Sequence, residues 1–192
     1  MILRISILLL GLFVMFSFKS ETRLQDVSEI DMVIKDTVKK SEKPDAEIGA
    51  KLVDFNVVDS KDALLFRDQI VDKKLPFILV LFNPSCGHCK ETMMEFVKRK
   101  EEFKHIKMMF VCGNNFVGEL KAFVEETGCK DIANFVVAAD NSEATKLLFE
   151  YKGIPQLMIY DQHQILQKTY YKEISTDSVL NQLSLLNFKK KK

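Results

Sequence analysis

The chain has 192 residues, 47% of them hydrophobic, with 28 basic against 27 acidic side chains and four cysteines. That length holds one domain with a full apolar core plus an extension, so disulfide staples are not needed for stability. With charge nearly balanced and no basic stripe interleaved with aromatics, a nucleic-acid surface has no support.

At the N-terminus Arg4 precedes an apolar run over residues 5–18 broken by serine and glycine. About 14 residues suits the core of a secretory signal and falls short of the roughly 20 that span a bilayer. Neither Met15 with Ser17 nor Phe18 with Ser20 gives the small-x-small pair favoured for cleavage. Residues 1–20 are therefore expected to be a signal peptide or, if uncleaved, a membrane anchor. Either way the rest of the chain would be periplasmic or otherwise extracytoplasmic, where disulfides form and persist. Residues 21–46 are charged, yet Leu24, Val27, Ile30, Val33 or Ile34, and Val38 recur at helical spacing. This is expected to be a partly helical spacer, because so few apolar groups cannot close a core.

From residue 47 the pattern changes to that of a folded domain. FNVVD (55–59) and ALLF (63–66) are expected to form a hairpin along a sheet edge. FILVLF (77–82) is a continuous apolar run of strand length, as for a strand buried on both faces. Asn83, Pro84 and Ser85 end it, and from Cys86 the apolar positions Cys89, Met93, Phe96 or Val97, and Phe103 follow a helical face. A strand is expected at 106–112, then a helix with Phe116, Leu120, Phe123 and Val124 on one stripe, stopped by Gly128. FVVA (135–138) reads as a strand. Asp140 with Glu143 resembles a capping box opening a helix through Leu147, Leu148 and Tyr151 to Gly153. Strands at 157–160 and 165–171, separated by a polar turn, and a helix from Thr176 with Val179, Leu183 and Leu186 inward complete the domain at 47–188. Lys189 to Lys192 read as a solvated tail. The alternation implies an α/β sheet covered on both faces.

The stretch LFNPSCGHCKETM (81–93) carries the chemistry. A thiol reacts as its thiolate, and the first turn of a helix, with unpaired amides and the positive end of the dipole, favours negative charge there. Cys86 is at that position; His88 and Lys90 can add positive charge, and Gly87 leaves room for a partner chain. Cys89, one turn on and on the same face, can attack a mixed disulfide formed at Cys86. A structural zinc site usually needs four ligands, and no second close pair follows Cys86, His88 and Cys89. Covalent haem attachment needs histidine after the second cysteine, where Lys90 stands. A thiol peroxidase remains an alternative, although Asn83 occupies the place of the threonine or serine expected three residues ahead of its cysteine. Two plain core cysteines are a further alternative. Dithiol–disulfide exchange accounts for the most features.

CGHC after an apolar strand, with Ile154-Pro155 ahead of another strand, resembles the thioredoxin fold. IGAKLVDFNVVD (48–59), ALLF and PFILVLFNPSCGHC together are similar to the extracytoplasmic TlpA-like thiol–disulfide oxidoreductases, over residues 48–188. The resemblance implies a thioredoxin-like α/β fold, with a central mixed sheet, helices on both faces and an N-terminal hairpin extension. It also implies Cys86 as attacking and Cys89 as resolving thiol, Gly87 and His88 tuning the pair, and a cis peptide at Ile154-Pro155 whose backbone binds an extended substrate. No metal or cofactor is implied beyond a redox-active Cys86–Cys89 disulfide. The implied partners are protein thiols or disulfides, with a membrane electron donor if the protein works as a reductase, and no nucleic acid. A non-catalytic module that binds extended partners through the proline loop is a further alternative. Gly-His is the dipeptide of protein disulfide isomerase, which stands near about −180 mV against about −270 mV for thioredoxin, hinting at a poise more oxidising than thioredoxin's. Two departures stand out. Ser85 replaces the tryptophan usual before the first cysteine, and Val80 replaces the buried acid that many members place six residues before it. Cys112 and Cys129 match no family motif and are expected to be quiet core or edge thiols.

Overall fold

In a computed structural model, residues 47–142 and 152–186 are described, all within one compact unit spanning residues 42–192. The expected signal or anchor, the spacer with its helix, the helix expected over 143–151 and the lysine tail lie outside the described residues.

The described strands are β1 (Asn56–Asp59), β2 (Leu64–Phe66), β3 (Phe77–Leu81), β4 (Lys107–Cys112), β5 (Phe135–Asp140), β6 (Gln156–Tyr160) and β7 (Leu166–Tyr171). They form one mixed sheet in the order β2-β1-β5-β4-β3-β6-β7. β3, β4 and β5 run parallel, while β6, β7 and the β1–β2 hairpin are antiparallel to their neighbours. The continuous apolar run of β3 has its cause in this order: the strand is central and all five residues are buried. Because successive side chains alternate, Ile78 and Val80 enter one core with Met108, Phe110 and Cys112. Phe77, Leu79 and Leu81 enter a second core with Met109, Val111 and Met158.

The helices are α1 (Arg67–Ile70), α2 (Gly87–Lys98), α3 (Leu120–Thr127) and α4 (Thr176–Leu185). The stripes Cys89–Met93–Phe96, Leu120–Phe123–Val124 and Val179–Leu183 bring α2, α3 and α4 onto the first core, and Ile70 of α1 is buried in the second. The expected hairpin is found at the sheet edge, and Gly128 ends α3 with φ +70°, a left-handed conformation that glycine adopts without a side-chain penalty.

Three boundaries differ from the sequence reading. The α2 helix stops at Lys98, and a 3-10 turn over Lys100–Phe103 swings Phe103 inward, where its ring lies 5.2 Å from that of Phe96. Arg99, bonded to both Glu102 and Asp177 at 2.6 Å, holds this corner. A 3-10 segment over Asn114–Glu119 precedes α3, so Phe116 is outside the α-helix although it packs against the same core. Asp140 is the last residue of β5 because it pairs with Val57 of the hairpin, a partner distant in sequence; its carboxylate accepts the amide and hydroxyl of Ser142.

Candidate active site

The ladder places the candidate residues at one end of the sheet. β3, β4 and β5 finish there and β6 begins there: Leu81 is opposite both Val111 and Gln156, and Cys112 is opposite Ala139. The turn carrying Cys86 and the loop carrying Ile154 and Pro155 therefore leave neighbouring strands side by side. The side chains of Cys86 and Ile154 pack against the same core that contains Cys89. The Ile154–Pro155 peptide is cis.

Asn83 builds the turn into α2: its side-chain oxygen accepts the Ser85 amide at 2.8 Å and its carbonyl accepts the Cys86 amide at 3.0 Å. Cys86 is then the N-cap of α2, with extended backbone (φ −83°, ψ 120°), and its carbonyl accepts the amides of Cys89 and Lys90. Its sulfur is half-buried, at the helix end where amides lack intrahelical partners. Gly87 opens the helix, and a side-chain carbon placed there would meet open space. Cys89 has no exposed surface and touches the Cys86 sulfur. Burial pushes the Cys89 thiol up from 9.0 to about 12, the Asn83 main chain pulls in the other direction, and contact with Cys86 adds to the rise.

The His88 ring is 77% exposed and turned to Glu91, with Nδ1 3.2 Å from Oε2. The place of the missing buried acid is filled by Val80, in the same apolar core as Cys89. Cys112 is buried, and burial pushes its thiol up to about 12; Cys129 is also buried and its thiol raised, chiefly by burial. These two are at opposite ends of the sheet, because Cys112 closes β4 whereas Cys129 precedes the start of β5. A six-residue strand spans on the order of 17 Å, too far for a disulfide. All four cysteines are free thiols, and no cluster of three metal-ligating side chains occurs among the described residues.

Several contacts at the site had no local sequence signal. Ser85, in the place where the resembled family usually carries tryptophan, donates to Glu119 at 2.7 Å, and Lys90 bonds to Glu126, so the start of α2 is joined twice to the α3 region. The proline loop is held from below by buried Gln156, whose side-chain oxygen accepts the Lys152 amide at 3.2 Å. From the side, the Lys172 amide donates to the Pro155 carbonyl at 2.8 Å. Gly153 has φ +147°, and the Lys172 stem would be 2.8 Å from an added side-chain carbon. The backbone conformation favours glycine there, and a side chain would have to displace the Lys172 stem.

Neither a family model nor a curated protein sequence matches the chain. Solved structures do match. The thioredoxin domain of a thiol-disulfide oxidoreductase from Bacteroides vulgatus aligns with a TM-score of 0.60 at 15% identity, covering 74% of this chain and 100% of that one. The chain has the thioredoxin-like fold. A secreted disulfide oxidoreductase from Mycobacterium tuberculosis aligns with a TM-score of 0.56 at 14% identity, over 69% of this chain and 96% of that one. A peroxiredoxin-like protein from Aquifex aeolicus aligns at 0.59 and 16%, over 74% and 89%. At identities this low the structural alignments show the thioredoxin-like fold alone. No helix among the described residues is long and apolar enough to cross a membrane.

Proposed function

We propose that the protein is an exported thiol–disulfide oxidoreductase that exchanges electrons with protein thiols through Cys86 and Cys89. The observation that carries this reading is the contrast within the pair. One sulfur is partly open at a helix start, and the other is fully buried against it. In the reducing direction the Cys86 thiolate attacks a partner disulfide, forming a Cys86–partner bond and releasing one partner sulfur as thiolate. Cys89 then gives up its proton and attacks the Cys86 sulfur. The Cys86–Cys89 disulfide forms and the second partner sulfur leaves, so two electrons pass to the partner. The same steps reversed oxidise a partner dithiol. Open space over Gly87 admits the partner chain, and the backbone of Ile154 is the surface on which an extended partner segment pairs.

The apolar setting of Cys89 supports assigning it the resolving role, since a thiol held protonated is a poor first attacker. The N-terminal apolar run and the persistence of disulfides outside the cytoplasm support export; acting as a reductase there would require electrons from a membrane partner. Insulin reduction driven by dithiothreitol tests the scheme. Cys86→Ser is expected to lower the catalysed rate at least ~100-fold, and Cys89→Ser to accumulate partners disulfide-linked to Cys86. Full activity in Cys86→Ser would remove Cys86 as the nucleophile.

A further inference from the structure

A groove of about 390 Å³ begins at His88, beside the thiol pair, and runs along the outer side of α2 to Lys98. Its far wall is the segment Lys172–Glu173–Ile174, which is tied to the proline loop through the Lys172 amide. A chain held at Cys86 and Ile154 that continues past His88 runs into this groove.

The lining has two kinds of surface. Met94, 43% exposed, together with half-buried Ile174, offers apolar contact, and the carboxylates of Glu91, Glu95 and Glu173 stand around it. Two lysines also line the groove, Lys98, paired with Glu95 at 3.3 Å, and Lys172, whose stem runs beside Gly153, so the three carboxylates exceed the two ammonium groups by one charge. Glu91 meets the His88 ring, and Glu173 has no lysine or arginine partner among the described residues. An aliphatic stem ending in a cation fits such a surface, because the stem covers the apolar part while the head reaches the carboxylates.

We propose that this groove selects substrates, receiving a lysine or arginine side chain that lies close in sequence to the partner's reactive cysteine. The inference rests on the redox reading above and names the substrate class of that site. Glu91 is five residues along α2 from Cys86, about 7.5 Å of rise, which an extended partner covers in two to three residues.

The test uses the full chain, dithiothreitol as reductant, and disulfide-linked peptides that carry Lys, Ala or Glu two or three residues from the cysteine on either side. Hydroxyethyl disulfide serves as a substrate without side chains. The expected order of kcat/KM is Lys over Ala over Glu, with about tenfold between the extremes at low salt and less at high salt. The double variant E91K/E173K is expected to invert that order, each peptide rate being read relative to the same protein's rate on hydroxyethyl disulfide. A flat ranking in the native chain, or an unchanged ranking in E91K/E173K, overturns the assignment of the groove while hydroxyethyl disulfide turnover keeps the redox reading standing. If neither the peptides nor hydroxyethyl disulfide is reduced, the redox reading falls and this inference falls with it.

Discussion

Cys86 and Cys89 were legible as a pair because their spacing and the preceding apolar strand are local features. The cis peptide at Ile154–Pro155 was legible through resemblance. What fixes the pair in place was not, since Ser85–Glu119 and Lys172–Pro155 join positions far apart in sequence with no periodic signal. His88 was expected to tune the thiols; in the fold its exposed ring also meets Glu91, a contact that was not read from the sequence. The asymmetry of the thiols makes a prediction at this scale. In Cys86→Ser the remaining cysteines are all buried, with thiols raised chiefly by burial. Iodoacetamide at pH 8 is expected to modify them in the native protein slower than in the urea-unfolded chain by a factor of about 100 or more. Equal rates would show that the resolving thiol is open to solvent.

Elements were read best where one face carries the signal. The central strand, the helix after Cys86 and the stop at Gly128 follow from apolar runs, helical spacing and a left-handed cap. Two of the three misread boundaries involve pairing with distant residues: β5 runs on to Asp140, which pairs with the hairpin, and α2 ends at Lys98, next to Arg99, which bonds Asp177. The anchor of α2 is Phe96, fully buried with its ring against both Phe103 and Phe110. Phe96→Ala is expected to destabilise the fold by about 3–5 kcal/mol, read as a lower urea midpoint, and to raise the native-state reactivity of Cys89 as the helix start loosens. A loss below about 1 kcal/mol would mean that the helix is held at its ends and not through this ring.

For the whole molecule, the α/β class followed from the alternation of strands and helices, but the sheet order did not. Placing β5 between β1 and β4 is a matter of long-range pairing that composition and period do not encode. The two-sided core leads to a pH dependence. Cys89 and Cys112 have thiols held near 12 in the fold against an ordinary 9.0, so above pH 9 the unfolded chain loses protons that the native protein keeps. Their contribution to stability is complete below pH 9 and is lost as pH rises toward 12, by at most about 4 kcal/mol for each thiol. Under reducing conditions the urea midpoint is expected to fall between pH 8 and pH 10.5, and to fall less in Cys112→Ala. Identical slopes in the two proteins would exclude Cys112 from this linkage.

The central claim is that Cys86 and Cys89 cycle between dithiol and disulfide while the other two thiols stand aside. Equilibrating the full chain in glutathione buffers of graded potential, quenching with acid and mapping each cysteine by mass spectrometry tests it directly. The account predicts one two-electron transition that bridges Cys86 to Cys89 and leaves Cys112 and Cys129 as thiols throughout. Thiols at Cys86 and Cys89 that persist to the oxidising limit, or a bridge that recruits Cys112, would contradict it.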